Sequence, residues 1–206
     1  MITIALPKGR VAEKTLELFQ KILKQEFVFE DRKLILECSD FRFLLVRSQD
    51  VPTYVHYQAA DIGVVGLDVL EESELDLLRL LDLGIGKCKV VVGSEIGKNI
   101  DYRKSRIKIA TKMPNITIKY FSKKAIPVDV IKLYGSIELA PLVQLSDGIV
   151  DIVETGATMK QNNLKVDEVI MESSVYLIAN KNSFYAKKQA IFDLQAQLHS
   201  SIKAVK

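Results

Sequence analysis

Cysteine and histidine are nearly missing from this 206-residue chain: Cys38 and Cys88 are its two cysteines, His56 and His199 its two histidines. They stand far apart and match no metal-ligand spacing. Neither a disulfide framework nor a protein-built metal site is therefore expected, and the cysteines read as reduced and packed. No apolar run approaches the ~20 residues of a membrane-crossing helix. Met1-Ile2-Thr3-Ile4-Ala5-Leu6 leads straight into Lys8-Gly9-Arg10, without the charged start, long apolar middle and cleavage site of a secretion signal. A cytoplasmic protein with no membrane role is expected. Charge of one sign is scarce as well. The 29 Lys and Arg against 26 Asp and Glu leave a net charge of +3, too small to argue for nucleic acid, and no basic run is interleaved with aromatics.

Apolar residues make up 48% of the chain, in short runs. Ile2 to Leu6 reads as a buried strand, and Val11, Leu16, Phe19, Ile22 and Leu23 then recur at helical spacing. A strand pair at 34–36 and 41–47 leads into a helix at Asp50-Val51-Pro52, followed by a strand at 61–65 and a helix at 67–72. Segments 77–83 and 87–93 are strand-like. After a loop at 97–106 come a strand at 107–111, a helix from about 115 to 124 and a strand at 128–133. A helix from Gly135-Ser136 through Leu145, a strand at 150–153, strands at 166–170 and 174–179, and an amphipathic helix from Phe184 to Ala204 complete the pattern. Such β-α-β alternation implies parallel sheets with right-handed crossovers, with ligands at the carboxyl ends of the strands. Ala60–Gly66 also echoes Val150–Gly156, as if two halves each carried a strand to a common cleft.

Ser146 to Lys160 carries the clearest chemistry. The apolar strand has Asp151 and Glu154 at its polar end, then Thr155-Gly156-Ala157-Thr158, then a segment able to start a helix. Gly156 permits a tight turn, and the following N–H groups with two Thr hydroxyls and the helix dipole would cup a phosphate. Asp151 and Glu154 could reach a polyol beside it. An ordinary strand-to-helix turn with a Thr N-cap is the alternative. Lys8-Gly9-Arg10, at the first strand-to-helix junction, suits a polyanion, with a plain loop bearing exposed cations as its alternative.

Read with Leu133-Tyr134-Gly135-Ser136-Ile137-Glu138-Leu139-Ala140-Pro141, this stretch resembles the signature of the ATP phosphoribosyltransferase family: a Glu, a spacer, an Asp, then Thr-Gly-x-Thr before Leu or Met. Further matches fall in the family's order at Leu6–Arg10, Asp50–Val55, Asp61–Gly66 and Leu81–Gly84. One departure is Gln144, where the family pattern usually has Gly, read here as a difference in helix packing.

The resemblance implies an α/β, two-lobed, periplasmic-binding-protein-like (type II) fold with the active site in the interlobe cleft. Lobe I is expected to hold 1–88 plus 180–206, lobe II 89–179 with the phosphoribosyl loop, and crossings near 86–90 and 177–181 would form a hinge. It further implies transfer of phosphoribosyl from phosphoribosyl pyrophosphate (PRPP) to N1 of ATP, the first step of histidine biosynthesis. Arg10 and Arg32 would be catalytic, near the pyrophosphate or ATP phosphates, supported by Lys8, Gly9, Lys33 and Arg47. Asp151 and Glu154 would hold the ribose, and Thr155, Gly156, Ala157 and Thr158 the 5′-phosphate. Mg2+ would arrive on the substrates. The chain looks like the family's short form, which works with a histidyl-tRNA-synthetase-like regulatory subunit as a hetero-octamer, or alone as a homodimer. Two rivals remain at this point. A non-enzymatic two-lobed binding module leaves the Arg and carboxylate placement unexplained. A purine-salvage-type phosphoribosyltransferase leaves Lys8-Gly9-Arg10 and Asp50-Val51-Pro52 without a role.

Overall fold

The computed structural model describes residues 1–30, 32–38 and 40–203. The chain runs through β1 (Ile2–Pro7), α1 (Arg10–Leu23), β2 (Ile35–Cys38), β3 (Phe41–Val46), a 3-10 turn at Ser48–Asp50, α2 (Val51–His56), β4 (Ile62–Gly66), α3 (Leu67–Ser73) and β5 (Leu78–Asp82). Next come β6 (Cys88–Glu95), β7 (Ile107–Thr111), α4 (Pro114–Lys123), β8 (Val128–Lys132), α5 (Leu139–Leu142), β9 (Gly148–Val153), α6 (Ala157–Gln161) and β10 (Leu164–Ser173). It ends with β11 (Val175–Ala179), α7 (Lys181–Ala186) and α8 (Lys188–Lys203). Two units result: Met1–Gly86 with Ser174–Lys206, and Lys87–Ser173.

The second crossing lies at Ser173–Ser174, not at 177–181. β11 pairs antiparallel with both β4 and β5, which buries Leu177, Ile178 and Ala179 in the first unit. The first sheet has the order β2-β3-β1-β4-β11-β5 and the second β10-β6-β9-β7-β8. β1 is parallel to β3 and β4, and β7 is parallel to β8 and β9. Read from its other edge, the second sheet repeats β3-β1-β4-β11-β5 as β8-β7-β9-β6-β10. β4 and β9 hold equivalent places, which gives the sequence echo its structural counterpart.

Alternation along β1 supplies both faces of the first sheet. Ile2, Ile4 and Leu6 join Phe19 of α1 and Ile191, Leu194 and Leu198 of α8 in one core, while Ala5 meets Val51, Val55 and Leu70 of α2 and α3 on the other side. Phe19 packs edge-on to Phe43 with ring centres 5.5 Å apart. In the second unit, Ile107, Ile109 and Val150 pack with Ile116 and Phe121 of α4. Ala110 and Ile149 pack with Ala140 of α5 and Met159 of α6 on the opposite face.

Two expected helices differ. The one expected over 135–145 contracts to the four residues of α5, because Ser136 (φ 49°) and Gln144 (φ 60°) on either side adopt left-handed backbone. Gln144 thus occupies a conformation that glycine adopts without strain, so the departure concerns a turn rather than helix packing. The C-terminal helix is divided at Lys187 (φ −119°), and its expected end at Ala204 lies outside the described residues. Asn180 caps α7 by accepting the Asn182 N–H at 2.8 Å.

Lys187 bends away to donate to Asp61 Oδ2 (2.7 Å) and to the Met1 carbonyl (3.0 Å). The Thr3 N–H also donates to Asp61 Oδ2, at 2.8 Å, so one carboxylate ties β1, the entry to β4 and α8 together. Asp61 is 9% exposed. Asp61→Ala, which leaves an amide and an ammonium without this partner, should lower stability by roughly 2 kcal/mol in urea unfolding.

Candidate active-site residues

In the first unit, parallel pairing places Pro7 opposite Val46, so β1 and β3 end side by side and the Lys8 N–H donates to the Val46 carbonyl at 2.9 Å. Lys8, Gly9 and Arg10 are exposed on the turn into α1. Gly9, the N-cap, has φ 93° and ψ −156°, a region open essentially to glycine alone. Arg47 continues from β3 in extended backbone (φ −69°, ψ 148°), exposed to solvent.

β2 runs antiparallel to β3, with Ile35 opposite Leu44 and the Leu45 N–H donating to the Leu34 carbonyl at 2.8 Å. The residues leading into β2, Arg32 and Lys33, therefore reach the same edge of the sheet. Arg32 has φ 58°, and Lys33 pairs with Glu30. Three separate segments thus bring Lys8, Arg10, Arg32, Lys33 and Arg47 to one rim. Cations brought close together in this way favour a polyanion.

In the second unit, β9 carries the other half of the expected constellation. Gly156, with φ 80° and ψ −3°, is the N-cap of α6, and the Ala157 N–H points toward Thr155 Oγ1 at 3.4 Å. Thr155, Ala157 and Thr158 are exposed, while Met159 is buried and anchors the turn in the core. A side chain at Gly93 of β6 would meet the Met159 methyl at 2.2 Å, which accounts for glycine there. Glu154 is exposed just before the turn.

Asp151 is only 9% exposed and has a partner that sequence reasoning did not find: Lys112 Nζ lies 3.0 Å from Asp151 Oδ1. The Ile152 N–H donates to the same oxygen at 2.8 Å. β7 and β9 are adjacent and parallel, with Thr111 opposite Val150. The buried Thr111 hydroxyl donates to the Val150 carbonyl (2.7 Å) and accepts the Met113 N–H (2.9 Å), pinning the short loop that holds Lys112. Its sequence signal was a Thr-Lys-Met step from a strand into a helix opened by Pro114, equivalent in form to the turn after β9.

Among the described residues, no group of three or more His, Cys, Asp or Glu side chains is arranged to hold a metal ion. No helix among them is long and apolar enough to cross a membrane.

Comparisons with known proteins follow this geometry. The family sequence model described as HisG, ATP phosphoribosyltransferase, matches residues 47–200. An ATP phosphoribosyltransferase from Wolinella succinogenes is 70% identical over 206 residues, 100% of both chains. One from Helicobacter hepaticus is 69% identical over 202 residues, 98% of each. Among solved structures, the ATP phosphoribosyl transferase (HisG:HisZ) complex from Thermotoga maritima aligns at TM-score 0.89 and 35% identity, over 99% of this chain and 100% of that one. The periplasmic aliphatic sulphonate binding protein SsuA of Escherichia coli aligns at TM-score 0.63 and 11% identity, over 98% and 72%. That likeness concerns the fold, which is of the α/β, periplasmic-binding-protein-like type II class.

Gly9→Ala should cost roughly 1–3 kcal/mol in urea unfolding, although nothing lies within 4 Å of the added methyl. Gly135→Ala, equally open and without positive φ, is the control and should be near neutral.

Proposed function

The chain belongs to the ATP phosphoribosyltransferase family, and we propose that it divides the reaction between the two strand edges just described. It is an enzyme, a pentosyltransferase of histidine biosynthesis, which joins C1 of PRPP to N1 of the adenine of ATP and releases pyrophosphate. The binding-module reading shares the fold, but 70% identity along the whole chain to a named enzyme favours catalysis.

The observation that carries the division is the course of β9, which presents Asp151 and Glu154 and then turns at Gly156 into exposed N–H and Thr groups. In this reading the turn at Thr155–Thr158 takes the 5′-phosphate, and Asp151 and Glu154 accept from the ribose hydroxyls. Lys112 is a positioning residue. Its ammonium holds the Asp151 carboxylate in one orientation and offsets the charge of a nearly buried acid. The cationic rim of Lys8, Arg10, Arg32, Lys33 and Arg47, with Gly9 allowing close backbone approach, takes the pyrophosphate and the phosphates of ATP.

Adenine N1 carries a lone pair at neutral pH, so the nucleophile needs placement rather than deprotonation. Its electron pair forms the N1–C1 bond as the C1–O bond to pyrophosphate breaks and the bonding pair leaves with that oxygen. The barrier lies in charge separation: positive charge grows at the anomeric carbon and negative charge on the departing oxygen. Asp151 and Glu154 hold the ribose where positive charge develops. Guanidinium groups of Arg10 and Arg32 suit the leaving group, because they bond in forks and do not lose their charge. Mg2+ in this proposal is borne by the substrate phosphates and water, where it offsets their negative charge.

The protein is further proposed to be the short-form catalytic subunit, working in the cytoplasm as a homodimer or in a hetero-octamer with a histidyl-tRNA-synthetase-like partner. Support for a second subunit comes from the Thermotoga maritima chain, which belongs to a HisG:HisZ complex and is matched over 100% of its length.

Pyrophosphate release from PRPP and Mg2+ should depend strictly on ATP and rise when the partner is added. ATP-independent release, or ligand binding without turnover in both conditions, would overturn this reading. Arg10→Ala or Arg32→Ala should lower kcat on the order of 100-fold, with little change in unfolding midpoint because both residues are exposed. Lys112→Ala should raise KM for PRPP by about tenfold and leave KM for ATP unchanged.

A further inference from the structure

Exposed large apolar side chains gather most densely between residues 134 and 145 of the second unit: Tyr134 is 90% exposed, Leu139 52%, Val143 66% and Leu145 43%. No other stretch of that length among the described residues holds as many. Ile137 and Ala140 pack inward with Ile149 and Met159, so Leu139 and Val143, one turn apart, form the outward face of α5. The Val143 N–H donates to the Leu139 carbonyl at 3.1 Å. Gln144 in left-handed backbone then turns the chain, and the Leu145 N–H donates back to the Ala140 carbonyl at 2.9 Å. Leu145 is thereby held beside α5.

Two properties point to what covers this face. The first is its size. At these exposures the four side chains leave on the order of 400 Å² of mainly apolar surface open, half of the ~800 Å² that each partner buries in a stable interface. That is enough for the apolar centre of such a contact.

The second is charge. From Leu133 to Ser146 the only charged residue is Glu138, in a chain that is 27% charged. A strongly charged partner finds no counter-charges there, whereas a second copy of the same surface meets it without repulsion. Lys132, just before the stretch, has the opposite sign to Glu138, and among the described residues neither forms an ion pair. Lys132 instead lies over the Tyr134 ring, 5.7 Å from its centre. In a two-fold contact residue i meets residue j and j meets i, so Lys132 of each copy can pair with Glu138 of the other.

We propose that the outward face of α5, with Tyr134 and Leu145, docks a second copy of this chain across a two-fold axis. The proposal rests on the homodimer reading given above and assigns that dimer a surface.

The test is the mass of the purified full chain by sedimentation equilibrium over a concentration series. Wild type should be a reversible dimer. Leu139→Glu and Val143→Glu place like charges on both sides of the axis and should each weaken dimerisation about 100-fold. Both sites are exposed, so far-UV circular dichroism should be unchanged. Val28→Glu, at a site 67% exposed in the first unit, is the control and should leave the dimer intact. Lys132→Glu should weaken the dimer about tenfold, and adding Glu138→Lys to it should restore the affinity. A monomeric wild type overturns both the proposal and the homodimer reading. A dimer that Leu139→Glu and Val143→Glu leave unchanged overturns the proposal alone, and the homodimer then forms through another surface. Variants that stay dimeric but lose the synthetase-like subunit give this face to that subunit and likewise overturn the proposal.

Discussion

Parallel pairing is the constraint on which the rest depends. A strand that lies parallel to its neighbour must return through a crossover, so β1 with β3 and β4, and β7 with β8 and β9, send their outgoing turns to one edge of each sheet. In both sheets that edge holds the residues proposed to act in phosphoribosyl transfer. The antiparallel additions, β11 and β5 in one sheet and β6 and β10 in the other, complete the sheets without contributing such turns. Asp61, gripped by Thr3 and Lys187, ties the final helix to the beginning of β1 and stabilises the sheet whose far rim carries the cations.

The two edges are chemically unlike, and the proposed mechanism gives each a different task. One gathers cations from three segments, an arrangement that favours anions of high charge. The other couples a neutral donor turn to two carboxylates, one of them nearly buried and held by Lys112. The donor substrate has the same division, with a ribose phosphate on one side of its breaking bond and pyrophosphate on the other. In the proposed mechanism electrostatic complementarity supplies most of the catalysis, because adenine N1 needs no base and the developing charges are the obstacle.

The start of β9 is a different environment from its end. Ser146 and Asp147 enter the strand beside Lys104 and Lys108, next to a residue in left-handed backbone, and an unpartnered buried hydroxyl persists there. Its end turns at Gly156 into α6, the turn proposed to take the 5′-phosphate.

Much of this was legible in the sequence. Strand-to-helix alternation, Gly156 in a turn, the Lys8-Gly9-Arg10 junction and the echo between β4 and β9 are local signals, set by side-chain periodicity and by the φ values that glycine alone adopts cheaply; they gave an α/β chain, while the two-lobed class and the enzyme family came from the resemblance of the motifs. What a linear pattern does not encode is which strands become neighbours. Only the tertiary structure decided that β11 joins the first sheet, since a short apolar strand suits either sheet and pairing with β4 and β5 settles it. Only it brought Arg32 to the rim of Arg10 and Arg47, through the antiparallel register of β2, and Lys112 to Asp151, through the parallel register of β7 and β9. Gln144 belongs to the same class: its letter suggested a helix, and its left-handed backbone follows from the turn into β9. Periodicity acts over a few residues, whereas register is fixed by burial and hydrogen bonding between segments far apart in the chain, and the site is assembled by register.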